Sequence, residues 1–227
     1  MVSIHHTKIL FGCEANMFKR FKEDARLIAK RDPAARNIAE VILLYSGFHA
    51  VCFHRIAHWF YNRGLCFIAR TISQTSRFLT GVEIHPGAKI GKGLFIDHGM
   101  GIVIGETAEV GDNCTIYHNV TLGGTGKDRG KRHPTIGNNV LISSGAKVLG
   151  PFKVGDNSRI GANAVVLTEV EPDTTVVGVP GRAVKRGGHR IKPSIELDQV
   201  HIPDPVAQEL RRLRCRLEEL ERALDKK

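Results

Sequence analysis

Residues 135–166 read TIGNNVLISSGAKVLGPFKVGDNSRIGANAVV, and an aliphatic residue returns at every sixth position: Ile136, Ile142, Val148, Val154, Ile160 and Val166. Neither the 3.6-residue period of an amphipathic helix nor the two-residue alternation of a half-buried strand accounts for that return. Moving outward, the same six-residue step links Ile84, Ile90 and Ile96, and then Ile104, Val110, Ile116 and Leu122. Glycine directly follows the aliphatic residue in IGKGLF, IGETAE, VGDNCT, IGNNVL, VGDNSR and IGANAV. Each hexad supplies one short strand and one tight corner, and three hexads close a triangular coil of about 18 residues. The recurrent aliphatic residue points inward and stacks on its equivalents in the next coil, while glycine, asparagine and aspartate supply the corner backbone angles. A single coil cannot bury its own inner face, so several must stack into a parallel β-helix.

The phase breaks twice. Ile96 and Ile104 are eight residues apart, and the extra residues fall in IDHGMGIVI; Leu122 and Ile136 are fourteen apart, and the excess is the glycine-rich basic segment GGTGKDRGKRHPT. Irregularities in a regular scaffold are where function concentrates. The first break carries Asp97-His98 and the second carries Arg132-His133.

The segments flanking the repeat have a different character. Residues 1–80 read as helical: KRFKEDARLIAKRDP is a charged amphipathic run that stops near Pro33. AARNIAEVILLYSGFHAVCFHRIAHWFYNRG follows at helical spacing with Gly64 placed as a C-cap, and a further run ends before Gly81. Residues 187–203 read as a polar linker. Asp204-Pro205 then supplies an N-cap and a first-turn proline for a final helix over 204–227, whose Val206, Leu210, Leu213, Leu217, Leu220 and Leu224 form a heptad seam. The expected architecture is therefore α+β: an N-terminal helical domain over 1–80, a β-helix over 81–186 with a protruding loop over 123–135, the linker, and a C-terminal amphipathic helix.

Bulk composition narrows the class. With 42% hydrophobic and 25% charged residues among 227, and no apolar run of membrane-spanning length, the chain reads as soluble, and its charged N-terminal segment lacks a signal-peptide layout. No membrane partner and a cytoplasmic location follow as expectations. Five scattered cysteines without a CxxC pair argue against a disulfide framework or a cysteine zinc site. The formal charge of +10 suits either nucleic acid or a phosphate-rich small ligand. The basic residues are spread along the whole chain with no aromatic-interleaved stripe, so nucleic acid is not expected. GGTGK lacks the full phosphate-loop pattern, and no GxSxG is present.

Each candidate residue has a bland reading beside the functional one. His98 is either a hydrogen-bonded corner histidine or a general base. Glu83 lies fifteen residues before it, a little less than one coil, which places the two on adjacent coils. A carboxylate on one imidazole nitrogen fixes the tautomer and raises the basicity of the other. Arg132 is either a solvated loop residue or, because Pro134 anchors the return to the solenoid, a guanidinium able to grip a carboxylate in bidentate fashion. Asp32, before Pro33, reads as a helix N-cap. His85 and His118 are candidate metal ligands by residue type, but no acidic or histidine-rich spacing supports a metal, and none is expected.

The stretches RDPAAR, YSGFHAVCFHRIAHWFYNRG, VEIHPGAKIGKGLFIDHGMGIVIGETAEVGDN, VTLGGTGKDRGKRHPTIGNNV and GVPGRAVK resemble the serine O-acetyltransferases, over residues of about 20 to 186. The pairing of IDHGMGIVIGE with TLGGTGK and KRHP is specific to that family, whereas hexads alone indicate only a β-helical acyltransferase. The resemblance implies a left-handed coil, a hand that periodicity does not carry and that runs against the usual right-handed crossover. It also implies acetyl-CoA as co-substrate, L-serine as acceptor, a step in cysteine synthesis, and a homotrimer or dimer of trimers with sites between subunits. Carried over position by position, His98 is the general base and Glu83 its carboxylate partner, where other members have aspartate. Asp32 and Asp97 contact the serine amino group, and here the resemblance replaces the N-cap reading of Asp32. Arg132 and His133 contact the serine carboxylate. Gly124, Ser144 and Arg159 fall at places that touch coenzyme A. Enteric and plant members end in an isoleucine that enters O-acetylserine sulfhydrylase, whereas this chain ends Asp225-Lys226-Lys227. Rival readings are a hexapeptide acetyltransferase with a sugar or amine acceptor, a metal-dependent β-helical lyase, and a non-catalytic scaffold.

Overall fold

The computed structural model describes residues 20–124, 126, 129–185, 213–214 and 216–217. Helix α1 occupies residues 20–31, followed by α2 (Ile38–Leu44), α3 (Ser46–Tyr61) and α4 (Cys66–Thr80). Fifteen strands of two to four residues then wind into a left-handed solenoid of about five turns. Its first face stacks β1 (Glu83–Ile84), β4 (Val103–Ile104), β7 (Thr121–Gly123), β10 (Lys147–Leu149) and β13 (Val165–Val166). The second stacks β2 (Lys89–Ile90), β5 (Glu109–Val110), β8 (Thr135–Ile136) and β11 (Lys153–Val154). The third stacks β3 (Phe95–Asp97), β6 (Thr115–Tyr117), β9 (Leu141–Ile142), β12 (Arg159–Ile160) and β14 (Thr175–Val177), closed by the antiparallel β15 (Arg182–Lys185).

All the other strand pairs are parallel and hold one register. Ile84 pairs with Ile104, Ile104 with Leu122, Leu122 with Val148, and Val148 with Val166. Of the thirteen periodic aliphatic residues, twelve are buried and Ile90 packs partly exposed against the same core, so the six-residue step located the solenoid interior. Each fully buried side chain of this size contributes about 1.5–3 kcal/mol of transfer free energy.

The corners divide the labour between asparagine and glycine in a way the sequence did not separate. Asn113, Asn119, Asn139, Asn157 and Asn163 adopt left-handed backbone, with φ between 56 and 60°. The glycines that directly follow the aliphatic residues do another job. A Cβ on Gly111 would lie 2.6 Å from the Gly137 carbonyl oxygen of the next coil, so these positions are held to glycine by the closeness of stacking rather than by dihedral freedom.

The helical part departs from the expected pattern at three points. The run 34–64 is broken at Tyr45, which is extended (φ −85°, ψ 107°) between α2 and α3. The interruption lets α3 start at Ser46-Gly47 against the solenoid, where a Cβ on Gly47 would lie 2.3 Å from the Ile96 carbonyl oxygen. Asp32 is not a helix N-cap: Asn37 caps α2 by accepting from Glu40 N at 2.8 Å, while Asp32 terminates α1 and folds into a turn, accepting from Ala34 N at 2.8 Å. Helix α3 ends at Tyr61 with Asn62 as its C-cap, ahead of Gly64, and Gly64 supplies positive φ in the turn that follows. Helix α4 ends before Gly81, as expected, and Gly81 is its left-handed C-cap.

Helix α1 is fastened to the second-to-third-face corner of the solenoid. Asp24 is buried, pairs with Arg55 of α3 at 2.6 Å and accepts from Gly93 N at 2.9 Å. Arg31 donates to the Gly93 carbonyl at 2.8 Å and to Asn113 Oδ1 at 2.7 Å. The linker 187–203, Cys13 and Cys215, the loop residues Lys127 and Asp128, and most of the helix expected over 204–227 lie outside the described residues; Leu213, Arg214, Arg216 and Leu217 are helical.

Candidate active site

Two polar clusters form on two different edges of the prism. The first lies where the third face turns into the first. His98 follows β3 with φ of 59°, a left-handed conformation that costs a residue with a Cβ roughly 1–2 kcal/mol. This is the eight-residue step in the phase. Gly99 N donates to the Asp97 carbonyl at 2.7 Å, and Gly101 N donates to the Gly81 carbonyl at 2.9 Å, so the longer corner is tied to the end of α4. The imidazole of His98 is largely exposed, with Nε2 3.8 Å from Asp97 Oδ1, and its ring meets His118 of the next coil edge-to-face at 5.9 Å.

Asp97 is half-buried, and that burial raises its carboxyl above the ordinary aspartate value; the neighbouring His98 opposes the rise and the charge of Asp32 adds to it. Asp32 is thus brought from the end of α1 to the same corner. Its Oδ2 accepts from the Tyr45 hydroxyl at 2.6 Å, and burial together with that carboxylate raises the Tyr45 pKa. Two carboxylates beside an exposed imidazole make a seat for a small cation.

Glu83 departs from the sequence expectation within the chain. Its carboxylate pairs with Arg77 of α4 at 3.1 Å, and its residue partner across the sheet is Val103. Glu83 and His98 flank the same corner, because the turn that carries His98 rests on Gly81. The Glu83 carboxylate nevertheless faces Arg77 rather than the imidazole.

The second cluster lies where the first face turns into the second, at the return of the protruding loop. Arg132 Nη2 donates to Glu106 Oε2 at 2.5 Å, and Tyr61 donates to the other oxygen, Oε1, at 3.0 Å. The Arg132 hydrogen bond holds the Glu106 carboxyl below the ordinary glutamate range, and Glu106 in turn raises Tyr61. His133 is buried, and burial together with the Arg132 charge lowers its pKa. Its ring occupies the space above Gly105: a Cβ there would lie 2.0 Å from His133 Cδ2. A guanidinium already oriented by a carboxylate, beside a neutral histidine, makes a seat for a small anion.

Gly124 belongs to this second edge, where a Cβ would lie 3.0 Å from Arg132 Cγ. Ser144 stands on the first edge, below His118, and its carbonyl accepts from Asn163 N at 2.9 Å. Arg159 lies on the third face, in register with Leu141 and Thr175. Gly124, Ser144 and Arg159 therefore occupy three separate positions on the chain. Tyr45, Tyr61, Glu106 and Thr107 are members of the two clusters that the sequence reading did not single out. Tyr45 and Tyr61 sat among the apolar positions of a helix, and Glu106 and Thr107 looked like the polar filler of a hexad. Among the described residues no three histidine, cysteine, aspartate or glutamate side chains are grouped to hold a metal ion.

Comparison with known proteins agrees with the fold. Residues 133–168 match the bacterial transferase hexapeptide family (six repeats). The serine acetyltransferase of Synechococcus elongatus is 57% identical over 209 residues, covering 92% of this chain and 84% of that protein. The chain belongs to the serine acetyltransferase family. Among solved family structures, that of the Neisseria gonorrhoeae serine acetyltransferase in complex with serine superposes with a TM-score of 0.72 at 42% identity, covering 75% of this chain and 70% of the other. The Brucella abortus serine acetyltransferase in complex with coenzyme A superposes with a TM-score of 0.76 at 42% identity, covering 80% and 72%. Both departures from strict six-residue phase carry a polar cluster.

Proposed function

We propose that this chain transfers the acetyl group of acetyl-CoA to the hydroxyl of L-serine, giving O-acetyl-L-serine and coenzyme A, as the step that commits serine to cysteine synthesis. One observation carries the reading. The chain presents a paired-carboxylate seat next to an exposed imidazole and, separately, an arginine–histidine seat, and these complement the ammonium and carboxylate poles of an amino acid. Asp32 and Asp97 take the ammonium, Arg132 and His133 the carboxylate, and His98 faces the hydroxyl.

His98 removes the serine hydroxyl proton as the oxygen attacks the thioester carbonyl carbon. The tetrahedral oxyanion collapses, the carbon–sulfur bond breaks, and protonated His98 returns the proton to the departing thiolate. General base catalysis of this kind is worth roughly 10²–10⁴ in rate. No covalent acetyl-enzyme and no metal enter the scheme. Glu83 orients His98, on this reading, after exchanging Arg77 for the imidazole. Gly124, Ser144 and Arg159 contact coenzyme A.

The two seats lie on different edges of one chain. A prism face of six residues at ~3.3 Å each spans up to about 20 Å, which is too far for one serine to touch both. A second copy must bring its arginine edge against the first copy's histidine edge, and a closed ring of three satisfies every edge in the same way. The apolar side chains of Leu43, Leu44, Phe67 and Phe78, each more than 70% exposed on α2 and α4, suit a further pairing of such rings. O-acetylserine sulfhydrylase is the remaining candidate partner, and the terminal Asp225-Lys226-Lys227 that bears on it lies outside the described residues. The reaction is assigned to the cytoplasm; no described helix is long and apolar enough to cross a membrane.

The test is thiol release from acetyl-CoA, with and without L-serine, for the parent and His98→Ala. Serine-dependent release that falls at least a hundredfold in the variant supports the reading. Release independent of serine, release with sugars in its place, or an unaffected variant overturns it.

A further inference from the structure

The loop return on the second edge converges on one hydroxyl. Arg132 N donates to Thr107 Oγ1 at 3.0 Å and His133 N donates to the same oxygen at 3.1 Å. Backbone N–H groups only donate, so both lone pairs of the hydroxyl are taken. Among the described residues its own proton then has one partner in reach, His133 Nδ1 at 2.9 Å. Thr107 N points at the same nitrogen from 3.2 Å, and it too can only donate. Nδ1 therefore receives hydrogen bonds from both the backbone and the side chain of a single residue and has no room for a proton of its own. The imidazole proton must sit on Nε2, the nitrogen that lies over Gly105 and beside Gly124.

We propose that Thr107 is a positioning residue for substrate: it fastens the loop return at Arg132-His133 and holds His133 as the neutral Nε2–H tautomer, so that His133 can act only as a donor toward the substrate carboxylate. The inference rests on the serine-binding reading for its kinetic consequence but not for the tautomer itself. Three hydrogen bonds to one hydroxyl fix the backbone of Arg132, the backbone of His133 and the ring of His133 at once. A loop of this length, from Gly124 to Pro134, would otherwise leave both side chains free to sample other positions. His133 remains uncharged because protonation would force an Nδ1–H against two donors. Burial and the charges of Arg132 and Lys131 act in the same direction, while Glu106, engaged by Arg132 and Tyr61, opposes them.

Nitrogen-15 NMR of the parent protein, labelled at histidine, reads the tautomer directly and needs no activity. Nδ1 of His133, assigned by its loss in His133→Gln, is expected to be unprotonated and Nε2 protonated between pH 6 and 8. A protonated Nδ1 overturns the proposal, whatever the fate of the serine reading. Thr107→Val keeps shape and backbone but removes the hydroxyl. It is expected to raise KM for serine about tenfold, to leave KM for acetyl-CoA and kcat within about threefold, and to let the His133 ring exchange between tautomers. Thr107→Ser restores both the KM for serine and the single tautomer. An unchanged KM for serine in Thr107→Val, or a serine variant that behaves like the valine one, removes the assigned role. If Thr107→Val does not fold, the parent spectrum together with Thr107→Ser decides.

Discussion

The Tyr45 hydroxyl donates to Asp32 Oδ2 across 2.6 Å, from the one residue that interrupts the helical run between α2 and α3. The break in the helix and the placement of the carboxylate are therefore a single feature. Tyr45→Phe removes the hydrogen bond and leaves the ring. Hydrogen bonds to charged groups contribute about 1.5–3 kcal/mol, so KM for serine is expected to rise about tenfold with kcat little changed. Steady-state kinetics with serine varied at saturating acetyl-CoA would show it; an equal fall in kcat would mean that Tyr45 acts on the chemistry instead.

Gly105 sits under the His133 ring, and its φ is not left-handed. Gly105→Ala therefore tests space alone. The added methyl must displace the imidazole, at a cost typical of overpacking, about 1–3 kcal/mol. The expected outcome is a KM for serine more than tenfold higher, without loss of the solenoid's circular-dichroism signature. Wild-type affinity for serine in this variant would show that His133 does not bind it.

Acid stability follows from the buried histidines. His54 is fully buried in α3, and desolvation, with the charges of His58, Arg55 and His85, pushes its pKa down to about 3. The unfolded chain takes up a proton near the ordinary 6.5, while the folded chain resists until about 3. Stability from this group is therefore complete above 6.5 and is lost as pH falls between those values, by at most about 1.4 kcal/mol per unit. His133 and His85, lowered mainly by burial, act with the same sign. Glu106, also lowered, joins only below the ordinary glutamate value of 4.5. Urea midpoints taken from pH 7.5 to 5.0 should fall for the parent and fall less steeply for His54→Gln; parallel slopes would assign the acid sensitivity elsewhere.

Sites completed by a second copy can be rescued by mixing. His98→Ala and Arg132→Ala are each expected to be inactive at low serine. When they are refolded together in equal amounts, about a quarter of the sites pair an intact His98 edge with an intact Arg132 edge. Recovery of activity toward that fraction is the expected outcome. No recovery, with mixed rings demonstrated by mass spectrometry, would place both seats on one chain.

The solenoid was legible because its core is written at a fixed spacing: Ile136, Ile142 and Val148 cannot keep a six-residue step and belong to anything but a three-faced coil. The two polar clusters of the candidate site were legible where phase failed, at His98 and at Arg132-His133. What the sequence concealed has local physical reasons. Asp32 before Pro33 has the same chemistry as a helix N-cap and as a turn, and only tertiary contact with Tyr45 separates the two. Glu83 was placed near His98 by counting residues along a coil, but counting carries no side-chain direction, and Arg77 lay within reach. Thr107 could not be singled out because a threonine in a hexad corner looks the same whether its hydroxyl meets water or three protein groups.

The buried Asp24–Arg55 pair gives the prism's third edge a meaning of its own. Two edges carry the polar clusters, and the remaining one, at Gly93 and Asn113, anchors α1 through Asp24 and Arg31. Asp32, at the end of α1, thus reaches the histidine edge from a mount fixed on the opposite corner. The chain is a lever whose pivot and tip are on different edges of the same rod, and a disturbance at Gly93 would be felt at Asp32.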